Sequence, residues 1–170
     1  MKFCPMCGMS QPSAKSAVCA FCDYEEKPFD ALSKREIHDL LAPYEYEQVE
    51  DGIRIIAVKN VRDISLRGAV SVPHFVTEIA AGAFSHCKFL TRIDLPRGLR
   101  AIGEGAFAHC RDLFDVFIPA RVKSVGKGAF SDCYDLRVIC AEAPAQPDTW
   151  DSEWLAGCDA TVTWASADEE

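Results

Sequence analysis

The sequence predicts a mainly β repeat solenoid, preceded by a small metal-stapled segment and a short helix. Three observations carry this. The string GAFSHCKFL at Gly82 returns as GAFAHCRDL at Gly105 and GAFSDCYDL at Gly128, an offset of 23 residues. Each unit also holds an alternating apolar run that ends in proline. Finally, the first 22 residues contain two Cys-x-x-Cys pairs outside the period. A period of about 20 to 50 residues marks a solenoid, in which a coil that cannot bury its own apolar side does so by stacking on its neighbours.

Residues 1–25 form the first element. Cys4 and Cys7 are separated by eleven residues from Cys19 and Cys22. Each pair offers two thiolates to one cation from a tight turn, and four sulfurs complete a closed tetrahedral zinc site. The alternative is a redox dithiol. It needs a thioredoxin-like strand and helix around a single motif, and two motifs in so short a segment leave no room for that fold. So few residues also bury too little apolar surface to offset chain entropy unaided. One structural zinc is therefore expected, with no position open to water.

Residues 26–43 read as a linker with a short amphipathic helix. Ser33 followed by Glu36 is a capping-box pattern, Ile37, Leu40 and Leu41 share one face, and Pro43 ends it. That face is expected to pack on the end of the repeat stack rather than receive a partner. Residues 44–66 read as a hairpin cap, with strands Tyr44–Val49 and Ile53–Val58 joined through Glu50-Asp51-Gly52.

Residues 67–135 hold three regular units. Pro73, Pro96 and Pro119 share a column, as do Phe84, Phe107 and Phe130, and Cys87, Cys110 and Cys133. Val70, Ile93 and Val116 point inward from a strand. A tight helical turn is expected at each Gly-Ala-Phe. Stacked coils lie about 4.8 Å apart, which brings the column cysteines within disulfide range. Their odd number, a reducing compartment and the tendency of cysteine to bury favour packing. Residues 136–165 read as a closing repeat that keeps Leu136 and Ile139 in register, replaces the proline by Glu142 and carries Trp150, Trp154 and Trp164. Residues 166–170 are an acidic tail. Spacing leaves open whether Cys140 and Cys158 pair.

The 170 residues are 49% hydrophobic, with 18 basic and 26 acidic side chains and a net charge of −8. No chain-wide positive field exists to hold a phosphate backbone or an anionic membrane. No leader or run of about 18 apolar residues is present, so a cytoplasmic location is expected. No catalytic set can be assembled. His38 and His74 lack companions, and Gly103-Glu-Gly105-Ala-Phe-Ala108 matches a dinucleotide fingerprint only because the repeat produces it. His86 and His109 stack in one column, but Asp132 takes the third place and the neighbouring sulfurs face inward, which argues against a second metal site.

The columns that fail to repeat lie on the outward side of the strands: Ala69 and Ser71, Arg92 and Asp94, Asp115 and Phe117, Val138 and Cys140. An exposed Phe117 beside mixed charge points to a protein-binding surface formed by Arg92, Asp94, Asp115, Phe117 and Val138. The competing expectation is that a flanking element or neighbouring subunit covers it.

Units such as LTRIDLPRGLRAIGEGAFAHCRDL resemble the BspA-like bacterial leucine-rich repeats, through Leu-x-x-Ile-x-Leu-Pro, Ile-Gly and Ala-Phe-x-x-Cys. The resemblance covers residues 46–164, and the closing ICAEAPAQPDTW and VTW are similar to the end segment of that family. The first 24 residues are similar to short zinc ribbons fused to bacterial domains. The resemblance implies a right-handed leucine-rich-repeat stack used for protein interaction, sometimes on cell surfaces. The expected function is a non-enzymatic interaction module with an unidentified protein partner. The alternative is an adaptor whose ribbon contacts DNA or RNA while the repeats recruit a protein; Lys2 and Lys15 supply little charge for it.

Overall fold

The structure, a computed structural model, describes residues 2–3, 10–11, 31–50, 52–60 and 67–165. The chain divides into two compact units, Met1–Ile37 and His38–Glu170. In the first, β1 (Lys2–Phe3) pairs antiparallel with β2 (Ser10–Gln11). Cys4, Cys7, Cys19 and Cys22 lie outside the described residues.

Helix α1 (Lys34–Leu40) begins with the expected reciprocal cap. Ser33 N–H and Oγ–H both donate to Glu36 Oε2, at 2.9 and 2.8 Å, and Glu36 N–H donates to Ser33 Oγ at 3.2 Å. Its apolar face is buried only in part. No residue of α1 is buried, and Leu40 is 43% exposed. Of the predicted face only Leu41 is buried, because the chain leaves the helix there and turns: Tyr44 N–H donates to Leu41 O at 2.9 Å.

The second unit is built from two five-stranded sheets. One runs in the order β10 (Ser124–Val125), β8 (Ala101–Ile102), β6 (Val76–Ile79), β4 (Gly52–Val58) and β3 (Tyr44–Val49). The other, here the β9 sheet, runs β12 (Thr161–Trp164), β11 (Val138–Ala141), β9 (Asp115–Ile118), β7 (Leu90–Asp94) and β5 (Gly68–Ser71). Every pair in the β9 sheet is parallel, and in the first sheet only β3–β4 is antiparallel. From β4 to β11 the chain alternates between the sheets, so each regular coil contributes one strand to each face. The parallel ladder extends past the three regular units, through β4 on one side and β11 and β12 on the other. Gly52 begins β4 rather than completing the hairpin turn. A Cβ there would lie 2.8 Å from Phe75 O and 2.7 Å from Thr77 Cγ2, so the close approach of β4 to the next coil needs glycine.

The third side of each coil is the Gly-Ala-Phe segment, which is a run of turns and not a helix. Alternate N–H groups point to different places. Ala83, Ser85 and Cys87 donate to the residue three before, whereas Gly82, Phe84 and His86 donate to Glu104, Ala106 and Ala108 of the following coil. Half of the donors thus build the stack, and the segment cannot also close a helical ladder. Three non-glycine residues here take left-handed backbone, His86, His109 and Asp132, with φ of 63, 60 and 54°. Histidine and aspartate are among the side chains that tolerate this region, which accounts for the column without any ligand.

The core lies between these sides. Phe84, Phe107 and Phe130 are fully buried and stack in series, with ring centroids 5.2 and 5.1 Å apart. Tyr44 meets Phe84 at 5.6 Å and Trp154 meets Phe130 edge-on at 5.9 Å, continuing the ladder in both directions. Trp150 packs against both Trp154 and Trp164. Where Glu142 replaces the column proline, its Oε2 accepts from Ala120 N–H at 3.0 Å.

Candidate functional site

The register of the β9 sheet assigns the outward columns. Ala69, Arg92, Asp115, Val138 and Thr161 form one; Ser71, Asp94, Phe117, Cys140 and Thr163 form the other. Between them Val70, Ile93, Val116 and Ile139 are buried, as alternation along a strand requires. The five residues singled out from the sequence, Arg92, Asp94, Asp115, Phe117 and Val138, therefore share one face.

Their environment differs from the expectation in one respect. Phe117 is half-buried between Asp94 and Cys140 rather than fully exposed. Arg92 Nε lies 3.3 Å from Asp94 Oδ1 and its guanidinium 3.7 Å from Asp115 Oδ2, while Ser71 Oγ–H donates to Asp94 Oδ2 at 3.3 Å. Surface pairs of this kind contribute about 0 to 1 kcal/mol, so these charges can be exchanged for those of a partner at little cost. The face changes character along the stack, from this charged group to Phe117, Val138 and Cys140. Cys140 Sγ accepts from Thr163 Oγ–H at 3.3 Å.

The column cysteines serve the core. Cys87, Cys110 and Cys133 are buried, and all five cysteines of the described residues, Cys140 and Cys158 included, are free thiols. Cys110 S–H donates to Phe84 O and Cys133 S–H to Phe107 O, each at 3.1 Å, so each thiol satisfies a carbonyl of the preceding coil. Burial pushes the Cys87 thiol up from 9.0 to about 11 and Cys133 up to about 12, and raises Cys110 further. Burial likewise pushes Tyr44 up from 10.0 to about 12. All four groups favour the protonated form when folded. Their contribution to stability is complete below pH 9 and is lost as pH rises through the folded values. Two results are expected: denaturant midpoints that fall above about pH 9, and native-state labelling by a thiol reagent at Cys140 but not at Cys87, Cys110 or Cys133 until the chain unfolds.

His86 and His109 stack at 4.6 Å between centroids, and His109 Nδ1 lies 3.3 Å from Asp132 Oδ2. Among the described residues no group of three or more His, Cys, Asp or Glu side chains could hold a metal ion.

Sequence reasoning missed three exposed aromatics beside the predicted face. Phe89, Phe114 and Tyr134 are 46, 56 and 62% exposed and stand where each coil enters the β9 sheet. Arg67 lies over the Phe89 ring at 4.8 Å, and Arg111 over the Tyr134 ring at 5.9 Å. The signal was present in the sequence, since these positions replace Asp, Thr or Arg in their columns.

A family model for the BspA type leucine-rich repeat region matches residues 54–159 in six copies. The structure is similar to a leucine-rich repeat protein from Bacteroides capillosus ATCC 29799, with a TM-score of 0.59 and 24% identity over 72% of this chain and 94% of that one. It also matches the T. pallidum leucine-rich repeat protein TpLRR, with a TM-score of 0.34 and 26% identity over 58% of this chain and 69% of that one. No curated protein matches. Among the described residues no helix is long and apolar enough to cross a membrane.

Proposed function

Because the chain belongs to the BspA type leucine-rich repeat family, we propose that it is a non-enzymatic scaffold that presents the outer side of the β9 sheet to a protein partner. One observation carries this reading. The inward columns keep the same residue types from coil to coil, whereas the outward columns vary: Arg92, Asp115 and Val138 in one, Asp94, Phe117 and Cys140 in the other. Packing dictates the first set, and nothing in the fold dictates the second. A half-buried aromatic flanked by exchangeable charge has the make-up of an interface centre. Affinity capture with the full chain is expected to recover a partner that Phe117→Ala and Arg92→Ala each lose. Unchanged recovery with both variants would remove this face from consideration.

The amino-terminal unit is proposed to hold one structural zinc through Cys4, Cys7, Cys19 and Cys22. The pairing of β1 with β2 supports this, since the two strands flank Cys4 and Cys7 in sequence. Four sulfurs would close the site, so the metal would fix the segment and offer no position to a substrate. Purified protein is expected to carry one zinc per chain, with Cys4→Ser losing it; a zinc content near zero in protein never exposed to chelator would refute the assignment.

A further inference from the structure

We propose that the open edge of strand β12 is a docking site that takes an extended, basic segment of a partner protein as one further strand of the β9 sheet. The proposal rests on the reading of the chain as an interaction scaffold, but it uses the end of the stack and not the outer face around Phe117.

The edge follows from the backbone. Thr161 N–H donates to Arg137 O at 2.9 Å and Ala165 N–H to Ala141 O at 3.0 Å. Residues alternate in a parallel ladder, so the N–H groups of Val162 and Trp164 point away from β11, and no other described strand pairs with β12 on that side. Other edges are blunted. β3 carries Glu45 and Glu47 and has an irregular register between Glu45 and Tyr46. β10 is lined by residues 149–151, where Asp151 N–H donates to Val125 O at 2.8 Å and Trp150 Nε1–H to Val122 O at 3.3 Å. β12 itself, Thr-Val-Thr-Trp, has no charge, proline or irregularity. Its inward side is also unfinished. Val162 continues the column of Val116 and Ile139, and Trp164 that of Ile118 and Ala141, yet both stay half-buried where those four are buried. One more strand would complete both columns.

Charge selects the occupant. Residues 138–170 hold eight acidic side chains and no basic one, while the residues before them balance 18 against 18, so this end of the chain accounts for the whole net charge of −8. Within it Glu142 accepts from Ala120 N–H and Glu153 pairs with Lys127, whereas the exposed Asp148 and Asp159 form no ion pair among the described residues. Asp159 stands two residues before β12, and Asp168, Glu169 and Glu170 follow the strand in sequence. Against them the neighbouring coil brings Arg137 to the ladder, beside Ala160. The excess of carboxylates opposes the pairing of two copies through β12, since each would bring the same charge, and it attracts lysine and arginine. It repels a nucleic acid for the same reason. The occupant is therefore a segment of about four residues that alternates apolar side chains, in register with Val162 and Trp164, with basic ones.

The test uses the full chain and fluorescence anisotropy with three labelled peptides: alternating Lys and Val, alternating Glu and Val, and the Lys–Val peptide with N-methylated amides. The Lys–Val peptide is expected to bind tightest and to weaken with added salt. N-methylation keeps the charge but removes the donors of a new ladder, and should weaken binding about tenfold. Val162→Pro blocks the free edge without removing a hydrogen bond to β11, because the N–H it lacks is one that points away, and should also weaken the Lys–Val peptide about tenfold. Asp159→Lys should weaken it about threefold, whereas Phe117→Ala should leave it unchanged. Circular dichroism checks that each variant is folded, and Asp159→Lys, at an exposed side chain, together with the N-methylated peptide carries the test if Val162→Pro is not. Equal affinity of the Lys–Val peptide and its N-methylated form, tightest binding of the Glu–Val peptide, binding of none, or affinities unmoved by Val162→Pro and Asp159→Lys would overturn the proposal. So would sedimentation showing a dimer of the full chain that Val162→Pro dissociates, since a second copy would then hold the edge. Loss on Phe117→Ala alone would sink the edge and leave the sheet-face reading standing.

Discussion

Replacing Phe107 by alanine is expected to remove about 3 to 5 kcal/mol of stability, the usual range for deleting a fully buried aromatic ring. The position offers no means of collapse. Phe107 has no exposed surface, and it is sandwiched between Phe84 at 5.2 Å and Phe130 at 5.1 Å, with interplanar angles of 22 and 11°. Those neighbours cannot close the gap, because the coil spacing is held by hydrogen bonds such as Phe84 N–H to Ala106 O at 2.7 Å and Phe107 N–H to Ala129 O at 2.8 Å. Two ring pairs are lost as well, each contributing about 0.5 to 1.5 kcal/mol beyond the buried area. Domains of this kind are stable by about 5 to 15 kcal/mol in total, so the variant should unfold at a much lower urea concentration. Phe107→Leu should recover a large part of the loss by refilling the cavity. A loss below about 1 kcal/mol for Phe107→Ala would show that the stack relaxes around the void, contrary to this account.

The second large effect is expected at Gly103, where a single added methyl group should cost about 3 kcal/mol or more. A Cβ at this position would lie 2.4 Å from Ala81 N, 2.6 Å from Ala80 C and 2.8 Å from Ala81 Cα. All three are backbone atoms, which cannot rotate aside as a side chain can. Relief requires the coils to separate, and that strains the bond from Gly103 N–H to Ile79 O at 2.8 Å. Gly126 repeats the arrangement one coil later, its Cβ falling 2.5 Å from Glu104 N. Gly105→Ala is the informative control. Its Cβ would meet only Ala108 Cβ at 3.7 Å, so the cost there is that of a left-handed backbone with φ of 58°, about 1 to 2 kcal/mol. Thermal denaturation of the two variants separates steric exclusion from dihedral strain, and a Gly103→Ala protein as stable as Gly105→Ala would contradict the close-approach argument.

Particular residues show why some features could be read in advance and others could not. The Phe and Cys columns were legible because each coil places the same residue in the same inward position, so that the period itself reports burial. The outward columns of the β9 sheet were legible for the same reason, through alternation along each strand. The half-burial of Phe117 was not, since exposure depends on how far neighbouring side chains lean over it. The tight turn expected at Gly-Ala-Phe is present but does not grow into a helix, because half of its N–H groups are taken by the following coil, a partner that local propensity does not register. His86 and His109 drew notice as possible ligands, yet their column is one that requires left-handed backbone.

The sequence by itself determined that this protein is a stack of leucine-rich coils, and it identified which residues face its core. A repeated environment selects a repeated residue, and the period records it. Only the tertiary structure decided which side chains the stack leaves open. The Arg111 guanidinium beside Tyr134 and the Arg92–Asp115 pair each join residues about 23 positions apart on successive coils. No local pattern encodes that distance; stacking creates it.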